Sequence, residues 1–154
     1  MPATALKTDD APLSTIRRFD TADLTTHAAW IIPRMMKAFP HLSERSIAGF
    51  LQQINYNNEY RLMYADHGVA LAQVMSAHSL DASPIVYERF VWVENPEDKD
   101  QIKVAAEFYS EFAKWAKHLG AVVMIVEENT DVPHDAIKEK LGRIFTRQQQ
   151  FARV

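Results

Sequence analysis

Glu88 is the residue with the clearest chemical potential. It lies in the middle of Ile85 to Val93 (IVYERFVWV), and strand alternation puts it on the face of Val86, Phe90 and Trp92. A carboxyl desolvated there titrates high and suits a general base. The competing reading is structural, with Glu88 paired to an arginine such as Arg61 on a neighbouring strand. The six histidines, His27, His41, His67, His78, His118 and His134, include no i, i+4 pair and no zinc spacing. No metal site is expected. The chain has no cysteine, which excludes disulfides, thiolate nucleophiles and cysteine-bound zinc. It also has no G-x-S-x-G elbow, P-loop or G-x-G-x-x-G.

Three other patterns carry chemical meaning. Glu94 to Phe108 contains no glycine, and Glu94, Glu97, Asp98 and Asp100 face only Lys99 and Lys103. Arg143, Arg147 and Arg153 share one face of a C-terminal stretch without acids. That face fits a phosphate or an acidic partner, or simply a solvated strand face. Finally, Phe108, Phe112, Trp115 and Leu119 form a helical stripe beside an apolar stripe of Ile102, Ala105, Ala106, Tyr109, Ala113 and Ala116. One helix on one sheet needs one apolar face. The second stripe is therefore expected either to be covered by the early helices or to be an association surface. Partial exposure of Trp115 and Phe108 in a protein–protein contact is the reading carried forward.

The elements that position these residues follow from periodicity and punctuation. A strand is expected at Thr15 to Phe19 and a turn at Asp20 to Asp23. A helix follows with Trp30, Ile31, Met35 and Phe39, kinked or restarted at Pro33. Ser43 caps a second helix, whose Ile47, Phe50, Leu51 and Ile54 make one face. Glu59 to Ala65 and Val69 to Ser76 pair across an Asp66-His67-Gly68 turn, and a loop spans Ser79 to Pro84. The Ile85–Val93 strand, an acidic loop, and a helix from about Gln101 to Leu119 stopped by Gly120 come next. Ala121 to Val126 reads as a strand buried on both faces. Asp131 caps a short helix ending at Gly142, and Arg143 to Val154 is the last strand.

This order resembles the GNAT acyltransferases over about residues 15 to 154. The resemblance rests on IVYERFVWV followed by a loop, EFYSEFAKWAKHLGA and a buried strand. It rests also on NTDVPHDAIKEKLG at 129–142. It implies a single α/β domain, a mixed central sheet flanked by helices, after a flexible tail at 1–14. The strands at 85–93 and 121–126 should lie side by side and parallel, splayed at one end into a cofactor cleft. By resemblance, Glu88 is the base and Val91, Trp92 and Val93 align pantetheine. The amides of Gln101, Ile102, Lys103, Val104 and Ala105 hold the diphosphate, and Asn129 belongs to the late motif. His134 is the candidate acid where the family often has tyrosine.

GNAT enzymes carry a Q/R-x-x-G-x-G/A loop after the fourth strand, whose glycines let backbone N–H groups approach the diphosphate. Gln101 or Lys103 stands at its first polar position and Ala105 at its last small one, but the middle glycine has no counterpart. The acids there repel a diphosphate while stabilising the helix. The resulting expectation is a GNAT-like domain with acetyl transfer lost or weak, acting as an interaction or structural protein. Small divergent GNAT-like proteins occur among bacteriophage proteins, including virion components, and the eroded motif is similar to theirs. The alternative is an acetyl-CoA-dependent N-acetyltransferase of an unknown amine, with acetyl-CoA its only cofactor.

Composition agrees with this class. The 154 residues are 47% hydrophobic and 24% charged. A chain of this length buries roughly 70% of its unfolded surface without staples. A net charge of −3 argues against a nucleic-acid partner. No apolar run is long enough to span a bilayer, and the first residues lack the apolar core of a signal peptide. A cytoplasmic or virion setting, with a protein partner or self-association, is expected.

Overall fold

The computed structural model describes residues 16–19, 24–55, 57–75, 84–121, 123–126 and 145–146. Its strands are β1 (Arg17–Arg18), β2 (Tyr60–Ala65), β3 (Gly68–Met75), β4 (Ile85–Val93), β5 (Val123–Ile125) and β6 (Phe145–Thr146). Its helices are α1 (Leu24–Ala38), α2 (Glu44–Asn55) and α3 (Lys99–His118). The sheet follows chain order from β1 to β6. Pairing is antiparallel from β1 to β4 and parallel from β4 through β6. The parallel β4–β5 pair needs a long crossover, and α3 supplies it. The expected neighbours are therefore found. The tail, the Asp20–Asp23 turn, the Ser79–Ser83 part of the loop, the Asp131–Gly142 helix and most of Arg143–Val154 lie outside the described residues.

Each face of the sheet carries its own core. Leu62, Tyr64, Val69 and Leu71 point to α1 and α2, where they meet Ile31, Met35, Ile47, Leu51 and Ile54. Met63, Ala65, Ala70 and Ala72 point the other way and pack with Val104, Ala105, Phe108, Tyr109 and Phe112 of α3. Strict alternation along β2 and β3 produces this division. The Ser43 cap is present, with its Oγ accepting from the Ser46 amide at 3.0 Å. Gly120 ends α3 at φ +82°, a backbone region that glycine enters without penalty. Of the two expectations at Pro33, the restart is not seen, because α1 runs through it. Pro33 is exposed, while Ile31 and Met35 on either side anchor the helix to the sheet.

The second aromatic stripe is likewise corrected. Phe108 and Phe112 are fully buried and Trp115 is 8% exposed, all within one chain; only Leu119 reaches solvent, at 37%. The early helices do not cover the stripe either, since they occupy the opposite face. The sheet covers it. Ala65, Gly68, Ala70 and Ala72 make a shallow floor, and large helix residues sink into it alongside the alanine stripe. Small residues on the strands thus turn two apparent helix faces into one broad contact.

Gly68 marks the tightest point. A Cβ there would lie 3.0 Å from Phe108 Cε2 and 3.0 Å from the Trp92 carbonyl oxygen. The ring can shift slightly, but the carbonyl is fixed in the sheet. Gly68→Ala is expected to destabilise the fold by about 1–3 kcal/mol through overpacking. Urea unfolding would measure it, and an unchanged midpoint would show that the sheet yields.

Candidate active site on strand β4 and the start of helix α3

β4 does not alternate cleanly. Ala72 pairs with Glu88 and Leu71 with Phe90, so Arg89 is an extra residue in a β-bulge. Its guanidinium lies outward and donates to Gln73 Oε1. The inserted residue resets the faces. Val86, Val91 and Val93 pack on the α3 side, whereas Phe90 and Trp92 pack on the α1–α2 side. The expected grouping of Glu88 with Phe90 and Trp92 is therefore wrong, because the bulge falls between them.

Glu88 is 5% exposed and accepts a 2.7 Å hydrogen bond from the Tyr109 hydroxyl on α3. Tyr109 is fully buried. Its place on the apolar stripe predicts packing alone; it also ties β4 to α3 through a polar pair inside an apolar core. Arg61 is not the partner of Glu88. Its guanidinium carbon lies 5.2 Å from the Trp115 ring centroid instead.

The described pairing of β4 with β5 is short. Their pairs end at Tyr87 with Ile125, so the outer edge of β4 from Glu88 to Val93 has no strand partner among the described residues. This edge is where Val91, Trp92 and Val93 are expected to align pantetheine. Their backbone is held in register by Ala70, Val69 and Gly68 of β3.

The start of α3 is built differently from a phosphate cradle. Asp98 is the N-cap, and its carboxylate accepts from the amides of Asp100 (2.8 Å) and Gln101 (3.4 Å). The Ile102 amide bonds the Asp98 carbonyl oxygen at 3.0 Å. The unsatisfied amides of a helix's first turn are its anion-binding groups. Here the chain's own carboxylate takes the amides of Asp100 and Gln101 and the Asp98 carbonyl takes that of Ile102, so Gln101 and Ile102 have no amide to offer. Val104 and Ala105 are buried against the sheet, and Lys103 is exposed. The Gln101 side chain is also committed, since its Oε1 accepts from the Asn95 amide at 2.6 Å. The crevice bounded by His67, Val93, Gln101 and Val104 admits no water-sized molecule.

One further acid is paired. Glu94 Oε1 lies 3.1 Å from Lys37 Nζ and 3.4 Å from His67 Nδ1. The hydrogen bond from Lys37, then that from His67, holds the Glu94 carboxyl below its ordinary range. The group is surface-exposed, so the pair adds little to stability. That small contribution is present above the ordinary carboxylate range and fades as pH falls through the lowered value.

The described residues thus bring Glu88 and Tyr109 together, give the β4 edge after Tyr87 no partner among themselves on the β5 side, and fill the helix terminus with Asp98. Asn129 and His134 lie outside the described residues, as do Arg143, Arg147 and Arg153. The Tyr109–Glu88 bond left no sequence signal beyond a tyrosine on the stripe facing the sheet. The Asp98 cap did have one, an aspartate just before an apolar-periodic segment. Among the described residues no helix is long and apolar enough to cross a membrane.

No family model matches the chain, and no curated protein matches it by sequence. Solved structures do match. A probable acetyltransferase superposes with a TM-score of 0.66 at 19% identity, covering 89% of this chain and 93% of the other. The aminoglycoside N-acetyltransferase AAC(6')-Iy, in complex with CoA, gives 0.60 at 20% identity, with 82% of each chain covered. A putative acetyltransferase from Agrobacterium tumefaciens gives 0.62 at 7% identity, covering 81% and 90%. At these identities the likeness establishes the fold, which is that of the GNAT acetyltransferases.

Proposed function

We propose that this chain is a GNAT-fold domain in which acetyl transfer is lost or weak, and that it serves as an interaction or structural component of a larger assembly. The observation that carries the reading is the Asp98 carboxylate on the amides of Asp100 and Gln101. An incoming diphosphate would have to displace that carboxylate and then sit beside Glu97 and Asp100. No glycine allows a closer backbone approach elsewhere in the loop. The residues present do not fit the diphosphate half of acetyl-CoA. Glu88, sealed at 5% exposure and bonded to Tyr109, works as a structural tie between β4 and α3. A domain relieved of catalysis keeps its value as a rigid scaffold. The resemblance to phage-associated proteins makes a virion assembly the favoured setting, with a protein partner or a second copy of the chain.

A second reading has an observation in its favour. Among the described residues, the edge of β4 after Tyr87 has no partner on the β5 side, and an edge of this kind is one an acyl-CoA arm would line. Related folds include one solved with CoA. On this reading the chain is an N-acetyltransferase with Glu88 as base.

Calorimetric titration with acetyl-CoA separates the two. The expected dissociation constant is weaker than about 100 μM, a binding free energy of only about −5.5 kcal/mol. A low-micromolar constant would overturn the non-catalytic reading and promote the enzyme.

A further inference from the structure

At the opposite end of α3 from Asp98, a cavity of about 310 Å³ opens between β1, β2 and the last turn of the helix. Arg18 and Arg61 line it from the strands, and His118 and Trp115 line it from α3. Leu62 and Ile54 supply apolar wall. The volume is at the small end of the range for ligand sites.

Among the described residues the charges here are poorly matched. Neither Arg18 nor Arg61 forms an ion pair with any described residue. Arg61 Nε is buried and has no hydrogen-bond partner. Burial, and then the like charge of Arg18, lowers the Arg61 pKa; Glu111 opposes this from α3. The Glu111 carboxylate is itself bonded to Lys114 at 2.9 Å. The Trp115 ring, 5.2 Å from the Arg61 guanidinium carbon, offers a cation–π contact but no hydrogen-bond acceptor for the N–H groups. A buried, unsatisfied donor is costly, and two guanidiniums at one cavity with no ion-pair partner among the described residues repel each other. An anion between them would relieve both costs.

We infer that this cavity binds a small oxyanion, a phosphomonoester or a carboxylate, carried on an apolar group that lies against Trp115 and Leu62. Guanidinium forks match both oxyanions, each able to take two parallel N–H bonds. The indole and leucine walls favour an aromatic or branched body over a bare ion. The site is separate from the β4 edge and does not depend on whether acetyl transfer survives.

The test is titration of the full chain with phenyl phosphate, benzoate and inorganic phosphate, followed by calorimetry and by the NMR signals of arginine Nε–H groups. Phenyl phosphate or benzoate is expected to saturate with a sub-millimolar constant, tighter than inorganic phosphate, and to shift the Arg61 signal. Preference for the first assigns a phosphomonoester, and preference for the second a carboxylate. Arg61→Gln should weaken binding by about 10- to 100-fold. Because Arg61 is part of the packing, Arg18→Gln on the exposed strand β1 serves as the second variant and should weaken it by about 10-fold. No saturable binding up to about 10 mM would overturn the proposal. So would binding that Arg18→Gln and Arg61→Gln both leave unchanged.

Discussion

Phe112→Ala should lower the unfolding free energy by about 3–5 kcal/mol, the usual range for truncating a buried phenylalanine. Phe112 has no solvent exposure, and it packs in the core that joins α3 to the sheet. Its neighbours cannot collapse into the gap. Ala65, Ala70 and Ala72 in the same core are already short, and β2 and β3 are each held on both sides by antiparallel partners. The cost should therefore sit near the top of the range, since unrelieved cavity volume adds to the lost transfer energy. Leu119→Ala is the matched control. Leu119 is on the same stripe in sequence but exposed, and its loss should change stability by less than about 0.5 kcal/mol. Urea unfolding read by circular dichroism measures both. A Phe112→Ala variant within about 1 kcal/mol of the parent would restore the view that the stripe faces a partner rather than the chain's own sheet.

Tyr109→Phe should cost about 1–3 kcal/mol, although it removes a single oxygen atom. That atom donates to Glu88 at 2.7 Å inside the α3 core, and both residues are almost wholly buried. Removing the donor leaves a carboxyl with fewer buried partners, and the desolvation of that group is then no longer offset. Glu88→Gln keeps an acceptor oxygen and should cost less than Tyr109→Phe. In the double variant the two effects should fall short of additivity, by about 0.5–3 kcal/mol, as they do for groups in direct contact. Additive losses would mean that the hydrogen bond contributes nothing to folding. The same Glu88→Gln variant reports on chemistry. Should acetyl-CoA bind tightly and turnover be measurable, the enzyme reading demands a fall of about 10² to 10⁴ in rate. A stability loss without a rate change would remove Glu88 from any mechanism.

Much of the architecture was legible in the sequence because it rests on local rules. β4 spans Ile85–Val93 as its β-branched and aromatic run predicts, and Gly120 stops α3. The parallel pairing of β4 and β5 followed from the length of the helix between them. The lack of glycine between Glu94 and Phe108 was plain in the sequence, and the acids there pointed to the wrong charge for a diphosphate. α3 begins at Lys99, two residues before the expected start, because Asp98 supplies its cap.

Three features were settled only by tertiary structure. The stripe of Phe108, Phe112 and Trp115 looked surplus because helix periodicity cannot report what lies opposite; the small residues on β2 and β3 decided it. Glu88 turned to α3 rather than joining Phe90 and Trp92 because one inserted residue, Arg89, reversed the alternation, and a bulge leaves no mark in a β-branched run. Arg18, Arg61 and Trp115 are far apart in the sequence and meet only because β1 and β2 pair beside the end of α3. Periodicity fixes which residues share a face within one element. Register and the packing of one element on another fix which faces meet, and those depend on contacts between distant parts of the chain.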